Sequence, residues 1–113
     1  MSTKLNRIID EGSVHAFVVN VVGGPASIEN YVGSMQIRAT KEDTELLAEV
    51  NPNSITVNHL TRQVTVVIPN EDTVAYEWSG VAVYDLYIEG PDGDRWRLVE
   101  GTIRISREVT REE

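Results

Sequence analysis

The sequence predicts an all-β domain, an antiparallel β-sandwich of about seven or eight short strands. Three observations predict it. Apolar residues recur with a period of two, turn-forming residues punctuate the chain at short intervals, and no segment has the length and spacing of a substantial helix.

The period is clearest in three segments. Met35, Ile37 and Ala39 alternate with Gln36 and Arg38, which puts the two sets on opposite faces of a strand. Val64, Val66 and Ile68 alternate with Gln63 and Thr65 in the same way, as do Ile55 and Val57 with Ser54 and Asn58. In Val81–Ile88, Tyr84, Leu86 and Ile88 share one face, and Val81, Val83, Asp85 and Tyr87 the other. Leu86 and Ile37 are therefore expected in the core. Val14–Val22 is apolar almost throughout, as suits a strand covered on both sides or one at an interface.

Breakers fall between these runs: Gly23-Gly24-Pro25, Asn51-Pro52-Asn53, Pro69-Asn70-Glu71-Asp72 and Gly90-Pro91-Asp92-Gly93. They supply the fixed or positive φ values that turns require, and Asp92-Gly93 marks a hairpin. The resulting strands are expected near 4–10, 14–22, 31–40, 45–50, 54–58, 63–69, 81–89 and 94–107. Thr40–Val50 is the one stretch where a helical turn could form. In the last strand Trp96 and Leu98 fall on even positions but Ile103 and Ile105 on odd ones, so a β-bulge is expected, with Gly101 its natural place.

The 113 residues fit a single domain, with residues 1–12 as an N-terminal arm or strand and 106–113 as a charged tail. Composition then narrows function. The net charge of −8 is shared by both halves, with no basic cluster of the kind that displaces phosphate counterions. Neither nucleic acid nor an anionic membrane is an expected partner. Without cysteine there are no disulfides, thiolate metal sites or cysteine nucleophiles. Met1–Arg7 lacks the apolar stretch of a signal peptide, so synthesis in the cytoplasm is expected.

Residues that could carry chemistry have simpler structural readings. His15 and His59 each lie in a strand-like segment with no ligand-spaced partner. Asp92-Gly93-Asp94, with Glu89 nearby, lacks the further oxygen ligands of a calcium loop and reads as a hairpin. The scattered serines sit in no nucleophile elbow. Trp78, Trp96, Tyr76, Tyr84 and Tyr87 could form an aromatic platform for a sugar, or could fill the core. No catalytic, metal or cofactor residue is expected, and the chain is expected not to be an enzyme.

The C-terminal half carries a further signal. Thr73…Trp78-Ser79-Gly80-Val81-Ala82-Val83-Tyr84-Asp85-Leu86 runs into Pro91-Asp92-Gly93-Asp94, then through Leu98-Val99-Glu100-Gly101 to Ile103…Ser106…Val109-Thr110-Arg111. This order of short pieces resembles small phage and prophage virion proteins and is similar to the N-terminal modules of baseplate upper proteins and tail-fibre-associated proteins. The resemblance spans about residues 13–111. It departs at Asn30-Tyr31-Val32-Gly33, where that group often shows a Leu-Thr-Gly type of step. It implies an immunoglobulin-like sandwich, a location in the virion, and a structural role as an assembly or adaptor module in the tail or baseplate, with fibre attachment and the head–tail junction as other positions. The expected partners are other phage virion proteins and further copies in a homo-oligomeric ring. A strand shows only half its residues to its own core, so Val14, Phe17, Val19 and Val21 are the candidate interface residues. The alternative is a carbohydrate-binding sandwich that touches a host surface.

Overall fold

The computed structural model describes residues 3–42, 45–78 and 80–107. Its strands are β1 (Thr3–Lys4), β2 (Arg7–Asp10), β3 (His15–Asn20), β4 (Val32–Arg38), β5 (Ala48–Glu49), β6 (Ile55–Asn58), β7 (Gln63–Ile68), β8 (Val81–Glu89) and β9 (Arg95–Ser106). A 3-10 turn at Pro52–Ser54 and a one-turn helix α1 at Asn70–Thr73 are the only helical elements among the described residues. The expected strands are all present. The helical turn is not at Thr40–Val50, which instead carries β5 (Asp43 and Thr44 lie outside the described residues). It follows Pro69, which fixes the entering backbone, and Glu71 and Asp72 favour its first turn. The buried Thr73 hydroxyl donates to the Ser13 and Asn70 carbonyls, tying this turn to the β2–β3 connection.

Two sheets form the sandwich. The small sheet has the order β3-β7-β6; the large one runs β5-β4-β8-β9, with β1 and β2 beside β9. The two packed sheets make an all-β sandwich. Its inward rows meet in one core, with Phe17, Val64, Val66 and Ile68 on one side and Met35, Ile37, Leu86, Ile88 and Ile103 on the other. Ile37 and Leu86 are fully buried, as their alternation required.

Two features correct the sequence expectation. First, the sandwich is not antiparallel throughout: β1 and β2 run parallel to β9, with Thr3 opposite Val99 and Asp10 opposite Ser106. Alternation reads the same for either direction, so the pattern could not show it. Second, the bulge lies at Leu98. Leu86 pairs with Val99 but Tyr87 pairs with Arg97, leaving Leu98 as the extra residue, and pairing is regular through Glu100–Thr102. Leu98 and Val99 are consequently buried side by side. Gly101 has another reason to be glycine: a Cβ there would collide with the Leu5 carbonyl. At this crossing the first strand breaks into β1 and β2, and Asn6 Oδ1 accepts the Thr102 amide at 3.1 Å. The Tyr84 hydroxyl donates to the Leu5 carbonyl, and burial pushes the phenol pKa up to about 12.

Candidate interface

The strand alternation that fills the core also composes two outer faces. On the small sheet, Ala16 lies beside Val67, and two rows cross β3, β7 and β6: Val18-Thr65-Thr56 and Asn20-Gln63-Asn58. None of these outward side chains is ionisable. Gln63 Nε2 donates to Asn20 Oδ1 at 3.1 Å, so the amides at one end are paired with each other. Val18 is 52% exposed and Val67 43%.

The outer face of the large sheet is the reverse. Glu49, Gln36, Asp85 and Glu100 form one row across β5, β4, β8 and β9. Like charges directly opposite each other are unfavourable, and three cations offset them. Lys41 Nζ is 2.9 Å and Arg97 3.5 Å from the Glu100 carboxylate, while Arg38 Nη2 donates to Gln36 Oε1 at 3.1 Å. Burial pushes the Asp85 carboxyl pKa up, against the opposing pull of Arg97, Arg95 and Arg38. Gln36, Arg38, Lys41, Asp85, Arg97 and Glu100 border a depression of about 160 Å³.

One end of the sandwich is braced. The Arg62 guanidinium donates to the carbonyls of Val21, Gly23, Pro25 and Ala26 at 2.9–3.3 Å, holding the β3–β4 loop against the β6–β7 hairpin. Asp94 Oδ2 accepts from Tyr31 Oη at 2.5 Å and from Trp96 Nε1 at 2.8 Å, joining the same loop to the β8–β9 hairpin. These two bonds, Tyr31's first, hold the Asp94 carboxyl below the usual carboxylate range. Asp92-Gly93-Asp94 is thus a hairpin turn, with Gly93 at φ 87° and the Gly90 amide bonded to the Asp94 carbonyl.

The four candidate interface residues separate. Phe17 and Val21 are buried in the chain's own core, Val19 packs half-buried against it, and only Val14 is exposed, at 57%. The odd positions of β3 face inward, so Val18, an even position, is the outward apolar residue of the strand. The uniform run Val14–Val22 hid this parity. The missing signal was in the other strands: Val64, Val66 and Ile68 fix the inward phase of β7, and the remaining Gln63, Thr65 and Val67, like Thr56 and Asn58, carry no charge.

The aromatic residues do not make one exposed platform. Trp78 is buried, with Tyr76 packed beside it at a ring-centroid distance of 5.1 Å, and Tyr84 is buried. Tyr87 lies on the opposite, charged face, under the Arg95 guanidinium at 4.2 Å. His15 Nε2 accepts from Arg7 Nε at 3.2 Å, and burial, then the Arg7 charge, push the imidazole pKa down. His59 is exposed on the β6–β7 hairpin. Among the described residues no group of three or more His, Asp or Glu side chains could hold a metal ion. No family model matches the chain, and no curated protein matches it either.

Proposed function

We propose that this chain is a non-catalytic structural protein of a phage virion, an assembly or adaptor module of the tail or baseplate that works by binding its neighbours. The observation that carries the binding role is the small sheet's outer face. A chain with net charge −8 leaves three adjacent strands free of ionised groups on that side. Outward positions of a sandwich are where charge costs least, and depletion of charge is the compositional mark of the core of a protein–protein interface. The phage setting rests on the resemblance carried by Trp78–Leu86, Pro91–Asp94 and Leu98–Gly101. Neighbouring virion proteins and further copies of the chain are the proposed partners. Nucleic acid and membrane are not among them, since the chain has no basic cluster.

Mass spectrometry of purified virions tests the setting: the chain should be present at a fixed copy number, and particles lacking its gene should be defective in tail assembly. Particles that never contain it would end the virion reading. Turnover of a substrate by the isolated chain would end the non-catalytic one.

A further inference from the structure

The small sheet has two edges and the large sheet two. Three of the four are blunted. The β1–β2 edge is interrupted at Leu5-Asn6, β5 has two residues, and β6 has four, starting directly after the Pro52–Ser54 turn. The fourth is β3. It has six residues, His15–Asn20, with no Pro, Gly, Lys, Arg, Asp or Glu, and it pairs with β7 in unbroken register. Among the described residues no strand pairs with its other edge. Exposed edge strands are ordinarily protected by charge, proline, a bulge or shortness, because their unpaired amides and carbonyls template another strand. β3 has none of these protections.

We propose that β3 pairs antiparallel with β3 of a second copy, about a two-fold axis at Val18, to make one continuous six-stranded sheet. Two observations favour a second copy over other strands. Two chains of charge −8 repel wherever ionised surfaces meet, and β3 with the adjoining outer face is where they can approach without that cost. The ionised groups nearest His15, Arg7 and Asp10, lie on β2 of the other sheet and have opposite signs. At the other end of the strand the Arg62 guanidinium is turned onto the β3–β4 loop carbonyls. The strand is also self-complementary. Antiparallel partners face the same side of a sheet, so a register centred on Val18 places Val18 against Val18, Phe17 against Val19 and Ala16 against Asn20, each pair on its proper face. The contact is isologous and closes at two copies, so a larger ring would need a different second surface. This gives the assembly reading a specific contact and depends on that reading only for its setting.

Sedimentation equilibrium of the full chain is the test. The weight-average mass should climb with concentration from 12.6 kDa toward twice that value and no further. Val18→Lys should weaken the dimer at least about tenfold, because two ammonium groups would meet at the axis. It also makes the chain less negative, so general repulsion cannot explain the loss. Thr56→Lys, on the same row but two strands and about 10 Å away, should leave the dimer intact. Circular dichroism checks that both variants remain folded. A wild-type chain that stays monomeric overturns the proposal, as does binding only to a foreign extended peptide. If Thr56→Lys dissociates the dimer as strongly as Val18→Lys, the contact is the sheet face rather than the edge, and the proposal is also overturned. A dimer that behaves as expected in a chain absent from virions would sink the phage setting and leave the edge contact standing.

Discussion

The small sheet's outer face and that of the large sheet lie on opposite sides of one core, yet one is uncharged and the other interleaves Glu49, Asp85 and Glu100 with Arg38, Lys41, Arg95 and Arg97. The inward rows are alike in being almost wholly apolar or aromatic, with His15 the ionisable exception on β3. Folding therefore does not dictate the difference. A strand's outward positions can be changed at little cost to stability, and they record what each side of the molecule meets. The large sheet's face has its own ion pairs and side-chain hydrogen bonds, at Glu100, Glu89 and Glu49. Among the described residues the small sheet's face and its β3 edge have no ion pairs, which is why the contact is placed there.

The comparison can be broken at its root by showing that the two faces do not share a packed core. Leu86→Ala on the inward side of β8 should cost about 2–5 kcal/mol in denaturant unfolding, the range for a fully buried leucine. A loss under about 0.5 kcal/mol would mean that the inward and outward assignments are wrong.

The charged face should respond to salt. Glu100→Gln removes the negative charge that Lys41 and Arg97 face and should destabilise by about 0.2–1 kcal/mol at low ionic strength. Most of that difference should vanish near 1 M salt, where screening acts over about 3 Å. A salt-independent loss would point to packing instead.

His15, on the inward side of β3, sharpens the contrast by pH. Its folded pKa is pushed below the ordinary 6.5, so the unfolded chain takes up the proton first. The stability contributed by the neutral ring is complete above about pH 6.5 and is lost progressively as pH falls below it. Melting temperatures across that window should fall more steeply for the wild type than for His15→Gln. Equal slopes would mean that neither the burial of the ring nor the Arg7 charge beside it disfavours its protonation in the folded chain.

The smallest effect is expected on the uncharged face. Val18→Lys and Thr56→Lys should each change the stability of the monomer by no more than about 0.5 kcal/mol, measured below the concentration of association. A cost above about 1 kcal/mol would show that these positions are packed rather than free.

Most of the architecture was legible because alternation and turn chemistry agree. Gln63–Ile68, which ends at Pro69, and Val81–Glu89, which lies between Gly80 and Gly90-Pro91, read directly as half-buried strands. What escaped were properties to which a period of two is blind. It does not distinguish parallel from antiparallel, so the N-terminal strand's pairing with β9 was missed. A change of parity between Leu98 and Ile103 demands one extra residue but does not say where. Glycine looked like the natural bulge, yet Gly101 is held for the approach of the Leu5 carbonyl, and the surplus residue became Leu98. The candidate interface was read from one strand that is apolar on both sides, where no phase can be seen. The small sheet's outward set is spread over β3 and the β6–β7 hairpin, which are distant in the sequence and brought together by pairing.

The parallel N-terminal strand has a mechanical consequence. Thr3 lies beside Val99 and Asp10 beside Ser106, so the first and last strands leave the sheet at opposite ends. A force drawn between those ends runs along both strands in opposite senses. The hydrogen bonds between them are then loaded in shear, all at once, rather than peeled one by one from a single end. The break at Leu5-Asn6 does not open that ladder, because the Leu5 amide bonds to the Glu100 carbonyl at 2.9 Å and the Asn6 side chain takes the Thr102 amide. A chain held this way passes tension between those ends through the paired lengths of β1, β2 and β9.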